Sequence, residues 1–368
     1  MNQKRLEHVR EWMKKEKVEA AFIHSRENVF YLTGYDSDPH ERLMGLLLLN
    51  ENEPMFILPK MEENQLRETK FDGEIIGYFD EQNPWELIRD RVNNHHTVHV
   101  QNLAVEKEAL SLGRSEQFRR IFPNATFVAI EPLLNEMRVI KDESELSILQ
   151  KAAKLADYGV EVGINALKEG VTELEVVATI EYELKKKGIR EMSFSTMVLF
   201  GQNAGNPHGV PGNNLLKKGD FVLFDLGVVL NGYCSDITRT VVFEEVSAKQ
   251  KEIYDVVLKA QLEAIKASKV GVRIGDLDKI ARDIITNAGY GEYFPHRLGH
   301  GLGISVHEYP SMSSDNDETL KEGMVYTIEP GIYDPTVGGV RIEDDIVLTS
   351  EGAVTLTSYP KPLQIIRK

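Results

Sequence analysis

Three short segments concentrate residue types that could do chemistry. In FDLGVVLNGYCSDITRT, Asp225 and Asp236 lie eleven residues apart in apolar, strand-like strings joined around Asn231-Gly232. Asn-Gly is a strong hairpin signal, so the two strings are expected to pair and bring both carboxylates close together. A carboxylate inside an apolar strand is costly to bury unless it is paired or bound to a metal. One such Asp reads equally well as a hydrogen-bonded core carboxylate; two together point to a shared cation. In HRLGHGLGISVHEYP, His296 and His300 are four apart, which on a helix would share a face. The interleaved Gly299, Gly301 and Gly303 argue instead for a backbone that approaches a ligand closely. His307-Glu308 does not start a zinc-binding HExxH helix, because Pro310 and Ser311 follow. In YTIEPGIY, Glu329 sits in an apolar strand pattern ended by Pro330-Gly331; alone it reads equally as a surface strand end. In GGVRIEDDIVLT, a strand would put Arg341 and Glu343 on one side and Asp344 on the other. Asp344 and Asp345 read as a solvated or salt-bridged pair.

Of the ten histidines, the four that follow residue 100, His208, His296, His300 and His307, all fall in Gly-rich segments. Asp225, Asp236, Glu329 and Glu343 carry four negative charges and a neutral His300 adds none, so two divalent ions balance the set where one would not. Oxygen donors with one imidazole suit Mn²⁺, Co²⁺, Fe²⁺ or Zn²⁺, with Mn²⁺ preferred, and argue against a thiolate structural zinc. Paired ions roughly 3.5–4 Å apart are a hydrolytic device that activates water and polarises a carbonyl. Ser193, Cys234 and Ser235 are discounted as nucleophiles, since no Ser-His-Asp ordering is compelling.

These residues need a scaffold, and the pattern predicts an α+β chain in two parts. Residues 1–130 alternate helical and strand-like stretches: Leu6, Val9 and Met13 at helical spacing, then a strand over 19–24, a helix over 28–32, and strands over 43–49 and 55–58 joined by a turn at 50–54. Further strands are expected at 75–78, 97–101 and 125–129, giving a small mixed α/β domain. Residues 131–137 read as a connector into the second domain, 131–368. There, helices are expected over 143–168, after Thr172, and over 248–268 and 274–288. They are segregated from a large, mostly antiparallel sheet built from 194–242 and the segment after 289. No short repeat or low-complexity segment interrupts the chain.

Bulk properties narrow the function classes. With 368 residues, 42% hydrophobic and 27% charged, the chain has the profile of a globular protein of about two domains. A formal charge of −15 argues against nucleic acid, which requires a basic face. No signal-peptide core or membrane-length apolar run is seen, and Cys234 is the only cysteine, so a cytoplasmic, disulfide-free protein is expected. His95, His96 and His99 read as a surface turn leading into a strand.

The order Asp, Asp, His, Glu, Glu in FDLG, YCSDITRT, GHGLG, TIEPG and RIED resembles the pita-bread metallopeptidases, over residues 137–368. The preceding domain resembles the creatinase-like N-terminal domain of their X-Pro branch. The resemblance implies that Asp225 chelates one ion and His300 the other, that Asp236 and Glu343 bridge them, and that Glu329 binds metal and accepts a proton from the nucleophile. It further implies that His208, in NPHG, and His307 hydrogen-bond the substrate and stabilise the tetrahedral intermediate. His296 and Arg341 would shape the proline side. Residues 35–42, YDSDPHER, resemble the loop that in bacterial prolidases reaches over the active site from a partner subunit. Asp38, His40, Glu41 and Arg42 would then read a dipeptide's termini in a homodimer, and Arg297 would contact the substrate carboxylate. An exposed turn is the alternative for that loop.

The implied activity is dinuclear-metal hydrolysis of X-Pro dipeptides. X-Pro aminopeptidase action on longer peptides is the nearest alternative. Metal-free creatinase-like chemistry and a non-catalytic binding module are the others, and an undegenerate ligand set argues against both.

Overall fold

The computed structural model describes residues 2–50, 52–94 and 99–368. The chain forms two compact units, Met1–Met137 and Arg138–Lys368.

In the first unit, four short apolar strands buried on both faces, flanked by two less buried edge strands, form a six-stranded mixed sheet. Its order is Glu74–Tyr78, Met55–Pro59, Gly45–Leu49, Ala20–Ile23, Asn102–Val105 and Thr126–Ala129. Gly45–Leu49 and Met55–Pro59 pair antiparallel as the expected hairpin, with Leu47 opposite Met55. Continuous burial explains why these strands read as apolar runs without alternation. Phe22, Leu47, Ile57, Leu103 and Phe118 are at the centre of the core.

Two expectations are corrected here. Of the strand expected over 97–101, residues 97 and 98 lie outside the described residues, as do His95 and His96, and 99–101 carry no ladder. Instead the Gln101 and Asn102 N–H groups donate to Glu19 Oε2 at 3.0 and 2.8 Å, so the strand starts at Asn102. His99 is exposed outside any strand. The supposed connector is a helix, Glu131–Val139, with Leu133 and Leu134 buried and Pro132 in the first turn, where its missing N–H costs nothing.

In the second unit, the helices Glu143–Ala166, Glu173–Lys186 and Ala248–Ala267 each start at a reciprocal capping box, set by Asp142, Thr172 and Ser247. Helix Ile274–Asn287 completes the set. The antiparallel strands do not merge into the single large sheet expected. A four-stranded sheet runs Ile365–Ile366, Ile237–Phe243, Phe221–Leu226, Met197–Phe200, and a five-stranded one runs Glu308–Ser311, His300–Gly301, Val325–Ile328, Asp344–Thr349, Gly352–Thr355. Smaller sheets include the pair Gly331–Asp334 and Gly338–Arg341. A Cβ on Gly227 would meet Ser235 O at 1.8 Å, so glycine is required where Phe221–Leu226 passes into Val228–Leu230. The Asn231-Gly232 turn closes the inner hairpin Val228–Leu230 and Tyr233–Cys234, and the same register continues into Phe221–Leu226 and Ile237–Phe243, so the expected pairing of the two strings is present. Among the described residues no helix is long and apolar enough to cross a membrane.

Candidate metal centre

Asp225 lies within a strand, and the other four residues are held where a strand starts, ends or breaks. Asp225 lies in Phe221–Leu226 opposite Thr238, and Asp236 immediately precedes Ile237–Phe243. The Asp236 N–H donates to Asp345 Oδ2 at 3.1 Å. His300 opens a two-residue strand, and its N–H donates to Thr327 Oγ1 at 3.1 Å. A Cβ on Gly299 would come 2.1 Å from Thr327 O, so glycine is required for that approach. Glu329 follows Val325–Ile328 and its N–H donates to Leu298 O at 2.9 Å. Glu343 occupies a two-residue break between Gly338–Arg341 and Asp344–Thr349, so the continuous strand expected through Arg341 and Glu343 is absent. Both side chains nevertheless line the same cavity. Thr238 holds Glu343 twice, accepting its N–H at the backbone (3.1 Å) and donating Oγ1 to Oε2 (2.6 Å).

One ligand atom each from Asp236, His300 and Glu343 lies within 4.8 Å of the others. His300 Nε2 is 3.2 Å from Glu329 Oε1 and 3.8 Å from Asp236 Oδ2. All five residues line one cavity of about 380 Å³.

Such a cluster is electrostatically unbalanced without a cation. Burial raises the Asp225 carboxyl, and Arg341 only partly offsets it. Burial followed by the charges of Glu343, Asp225 and Asp345 lifts Asp236 well above the carboxylate range. Burial, then Glu329 and Asp225, does the same to Glu343. For Glu329 burial pushes upward too, but the hydrogen bond and charge of His300 prevail and hold it at about 2. Asp225 Oδ1, Asp236 Oδ1 and Glu343 Oε1 are buried with no hydrogen-bond partner. Buried acceptors lacking donors carry a large desolvation penalty. A divalent cation fits where Asp236 and Glu343 meet the His300 imidazole, and the O/N donor set is that of a hydrolytic rather than a thiolate site.

Residues 147–350 match the model of metallopeptidase family M24, and residues 5–140 match the creatinase/prolidase N-terminal domain. This chain belongs to metallopeptidase family M24. A Bacillus subtilis relative provisionally named a dipeptidase, YkvY, is 61% identical over 362 residues, covering 98% of this chain and 99% of its own. The solved prolidase of Thermococcus sibiricus is 37% identical with a TM-score of 0.92, covering 100% of both chains. An X-Pro aminopeptidase from Thermotoga maritima is 32% identical with a TM-score of 0.85, covering 95% of this chain and 98% of that one. The α+β architecture, a creatinase-type domain before the pita-bread catalytic domain, is that of the family, and divalent metal is the family's cofactor.

Around the five residues of this metallopeptidase, the same cavity is lined by His208, His296, Arg297, His307 and Arg341. The His300 and His307 rings are 4.1 Å apart between centroids. Burial, then the charge of His300, with Arg297 and His208 adding to it, lowers His307 to about 4, so its imidazole is neutral at pH 7. His296 contacts Arg297 O through Nδ1 (2.7 Å) and Tyr333 Oη through Nε2 (2.8 Å). Arg297 is exposed, and its Nη1 donates to Ser311 Oγ at 3.1 Å. The Arg341 guanidinium is buried, donating to Asp225, to Thr238 Oγ1 (3.0 Å) and to Tyr333 Oη (2.8 Å).

Three contributors escaped the sequence reading. Tyr333 bridges His296 and Arg341, Thr238 links Glu343 to Arg341, and Asp345 fixes the Asp236 backbone. Thr238 was detectable, being two residues beyond Asp236 and so on its face of a strand. The solvated option for Asp344 and Asp345 is corrected. Asp344 is fully buried between Arg239 (2.7 Å) and Lys361 (2.7 Å); Asp345 is buried without a cation, and burial raises its carboxyl well above the usual range.

Asp38, His40 and Arg42 belong to the first unit. Tyr35 Oη and Ser37 Oγ donate to Glu62 Oε2 (2.7 and 2.6 Å), Arg26 Nε donates to Asp36 (2.6 Å), and Arg42 Nε donates to Asp80 (2.8 Å). These bonds root both ends of loop 35–42, while Asp38 and His40 stay exposed, with the His40 N–H donating to Asp38 Oδ1 at 2.8 Å.

Proposed function

We propose that this metallopeptidase is an Xaa-Pro dipeptidase, a prolidase, whose two divalent ions are held by Asp225, Asp236, His300, Glu329 and Glu343. The observation that carries the reading is the single 380 Å³ cavity that gathers this donor set with three further histidines and two arginines. That volume is near the low end of the roughly 300–1,000 Å³ of small-molecule sites, which favours a short substrate. The likeness to the solved prolidase over the full chain supports the same reading.

Bound divalent ions would supply Lewis acidity toward the scissile carbonyl and lower the pKa of water. Glu329 would take the proton that the nucleophile loses. His307, neutral at pH 7, and His208 would offer hydrogen bonds as charge develops on the substrate oxygen. Arg297, exposed at the cavity, would bind the terminal carboxylate. Arg341 is turned toward Asp225, Thr238 and Tyr333, and in this reading it sets the field at the ligands and holds Tyr333 against His296. The X-Pro nitrogen has no N–H, and carbonyl polarisation needs none. We assign Mn²⁺ as the working ion and the cytoplasm as the setting. The enzyme would be a homodimer in which the exposed tip of loop 35–42, with Asp38, His40 and Arg42, restricts a partner's cavity to dipeptides.

The test is an assay of the Mn²⁺-loaded enzyme on Ala-Pro and on Ala-Pro-Ala. Preference for the dipeptide is expected. Preference for the tripeptide would favour the aminopeptidase reading, which the Thermotoga maritima likeness keeps in view.

A further inference from the structure

Glu173 is a fully buried carboxylate with no cation against it in its hydrogen bonds. It stands in the first turn of Glu173–Lys186, where the backbone is anchored by the Thr172 cap. Its Oε1 accepts from Phe200 N (2.7 Å) and Asn203 Nδ2 (3.0 Å). Its Oε2 accepts from Gly212 N (2.7 Å), Asn214 Nδ2 (3.0 Å) and Asn203 Nδ2 (3.1 Å). The donors come from both ends of one loop, 200–214, and Asn203 also donates to Val210 O at 3.2 Å across it. The Glu173 N–H reaches Asn214 O at 3.3 Å, and the Leu174 N–H reaches Gly212 O at 3.2 Å. In the middle of this loop are Pro207 and His208, both lining the cavity. His208 itself is exposed on a turn, so little packing holds it in place.

A buried carboxylate fully satisfied by loop amides is a strong, directional fastening, because charge-assisted bonds exceed neutral ones. We propose that Glu173 is a positioning residue: its carboxylate ties both ends of loop 200–214 together and so sets His208 against the metal cavity. The proposal rests on the catalytic role given to His208 above. Its reach is limited to that imidazole, since none of the five metal ligands lies in the loop.

The experiment is a double-mutant cycle on the metal-loaded full chain with Ala-Pro, using Glu173→Gln, His208→Ala and the double variant. Hydrogen–deuterium exchange over 200–214 and bound-metal content are measured in parallel. In Glu173→Gln an amide NH₂ faces Gly212 N and Asn214 Nδ2, donor against donor. Exchange in the loop should rise, metal content should stay unchanged, and kcat/KM should fall about 10- to 100-fold, the scale of a ~1 Å misplacement. The double variant should be no worse than His208→Ala alone, because the two losses share one route. Multiplicative losses, or unaltered exchange in the loop, would overturn the proposal. Wild-type activity in His208→Ala would instead contradict the role given to His208. If Glu173→Gln does not fold, Asn203→Ala removes the bridging amide and enters the same cycle with the same expectations.

Discussion

Removing the metals should destabilise the protein, and more so at higher pH. Without a cation, Asp225 Oδ1, Asp236 Oδ1 and Glu343 Oε1 stay buried and unpartnered, and the Asp225, Asp236 and Glu343 carboxyls have raised pKa values. A carboxyl raised on folding holds a proton in the folded state that the unfolded chain releases. Its destabilising effect is absent below the unfolded value near 4, grows as pH rises, and is complete once pH passes the raised folded value. Two ions, each at a hundredfold excess over its Kd, would contribute about 5 kcal/mol together. For a unit of this size, at about 2–4 °C per kcal/mol, the melting temperature should fall by roughly 10–20 °C on chelation. The assay is thermal unfolding by fluorescence with and without EDTA, at pH 5.5 and pH 8. A larger drop at pH 8 is expected. Equal drops at both pH values, or none, would show that the cluster is not relieved by metal and would refute the reasoning.

Two further outcomes follow from other parts of the molecule. In the first unit, burial opposes ionisation of Glu106, but hydrogen bonds from His24, Asn28 and Ser25 hold it at about 2 against an ordinary 4.5. A depressed carboxyl stabilises fully above its unfolded value and loses that contribution as pH falls to the folded one, so Glu106→Gln should cost about 3 kcal/mol at pH 7. In urea melts the gap from wild type should close between pH 4.5 and 2; a gap independent of pH would exclude the linkage. Thr238→Val removes the hydroxyl shared by Glu343 and Arg341, so metal affinity should weaken about 10- to 100-fold, as when other supports of metal ligands are lost. A competitive metal titration giving the wild-type constant would show that Thr238 does not hold Glu343.

Sequence legibility followed the physics of each element. Capped helices such as Glu143–Ala166 were readable because Asp142 and Glu145 form their box locally. The five proposed ligands stood out in the sequence because carboxylates in apolar strings and a histidine between glycines are anomalous without a ligand. The register of the first two carboxylates was readable as well: a two-residue turn at Asn231-Gly232 pairs Leu230 with Tyr233, and the same count carried outward puts Asp225 opposite Thr238, as found. Arg341 and Glu343 met in one cavity through a strand break rather than a shared strand face. Tyr333, Asp345 and Glu173 act through contacts 8 to 109 residues away in the chain, a kind of pairing that no local pattern announces. Helix Glu131–Val139 lies in the stretch that reads as a connector, although proline is tolerated in a first turn.

The central claim is a two-ion centre on five named ligands. Its most direct measurement is anomalous scattering from crystals grown with Mn²⁺. Two peaks roughly 3.5–4 Å apart are expected in the cavity. Asp236 and Glu343 should touch both, Asp225 and His300 one each, and Glu329 at least one. A single peak, or a second ion bound by other residues, would contradict it.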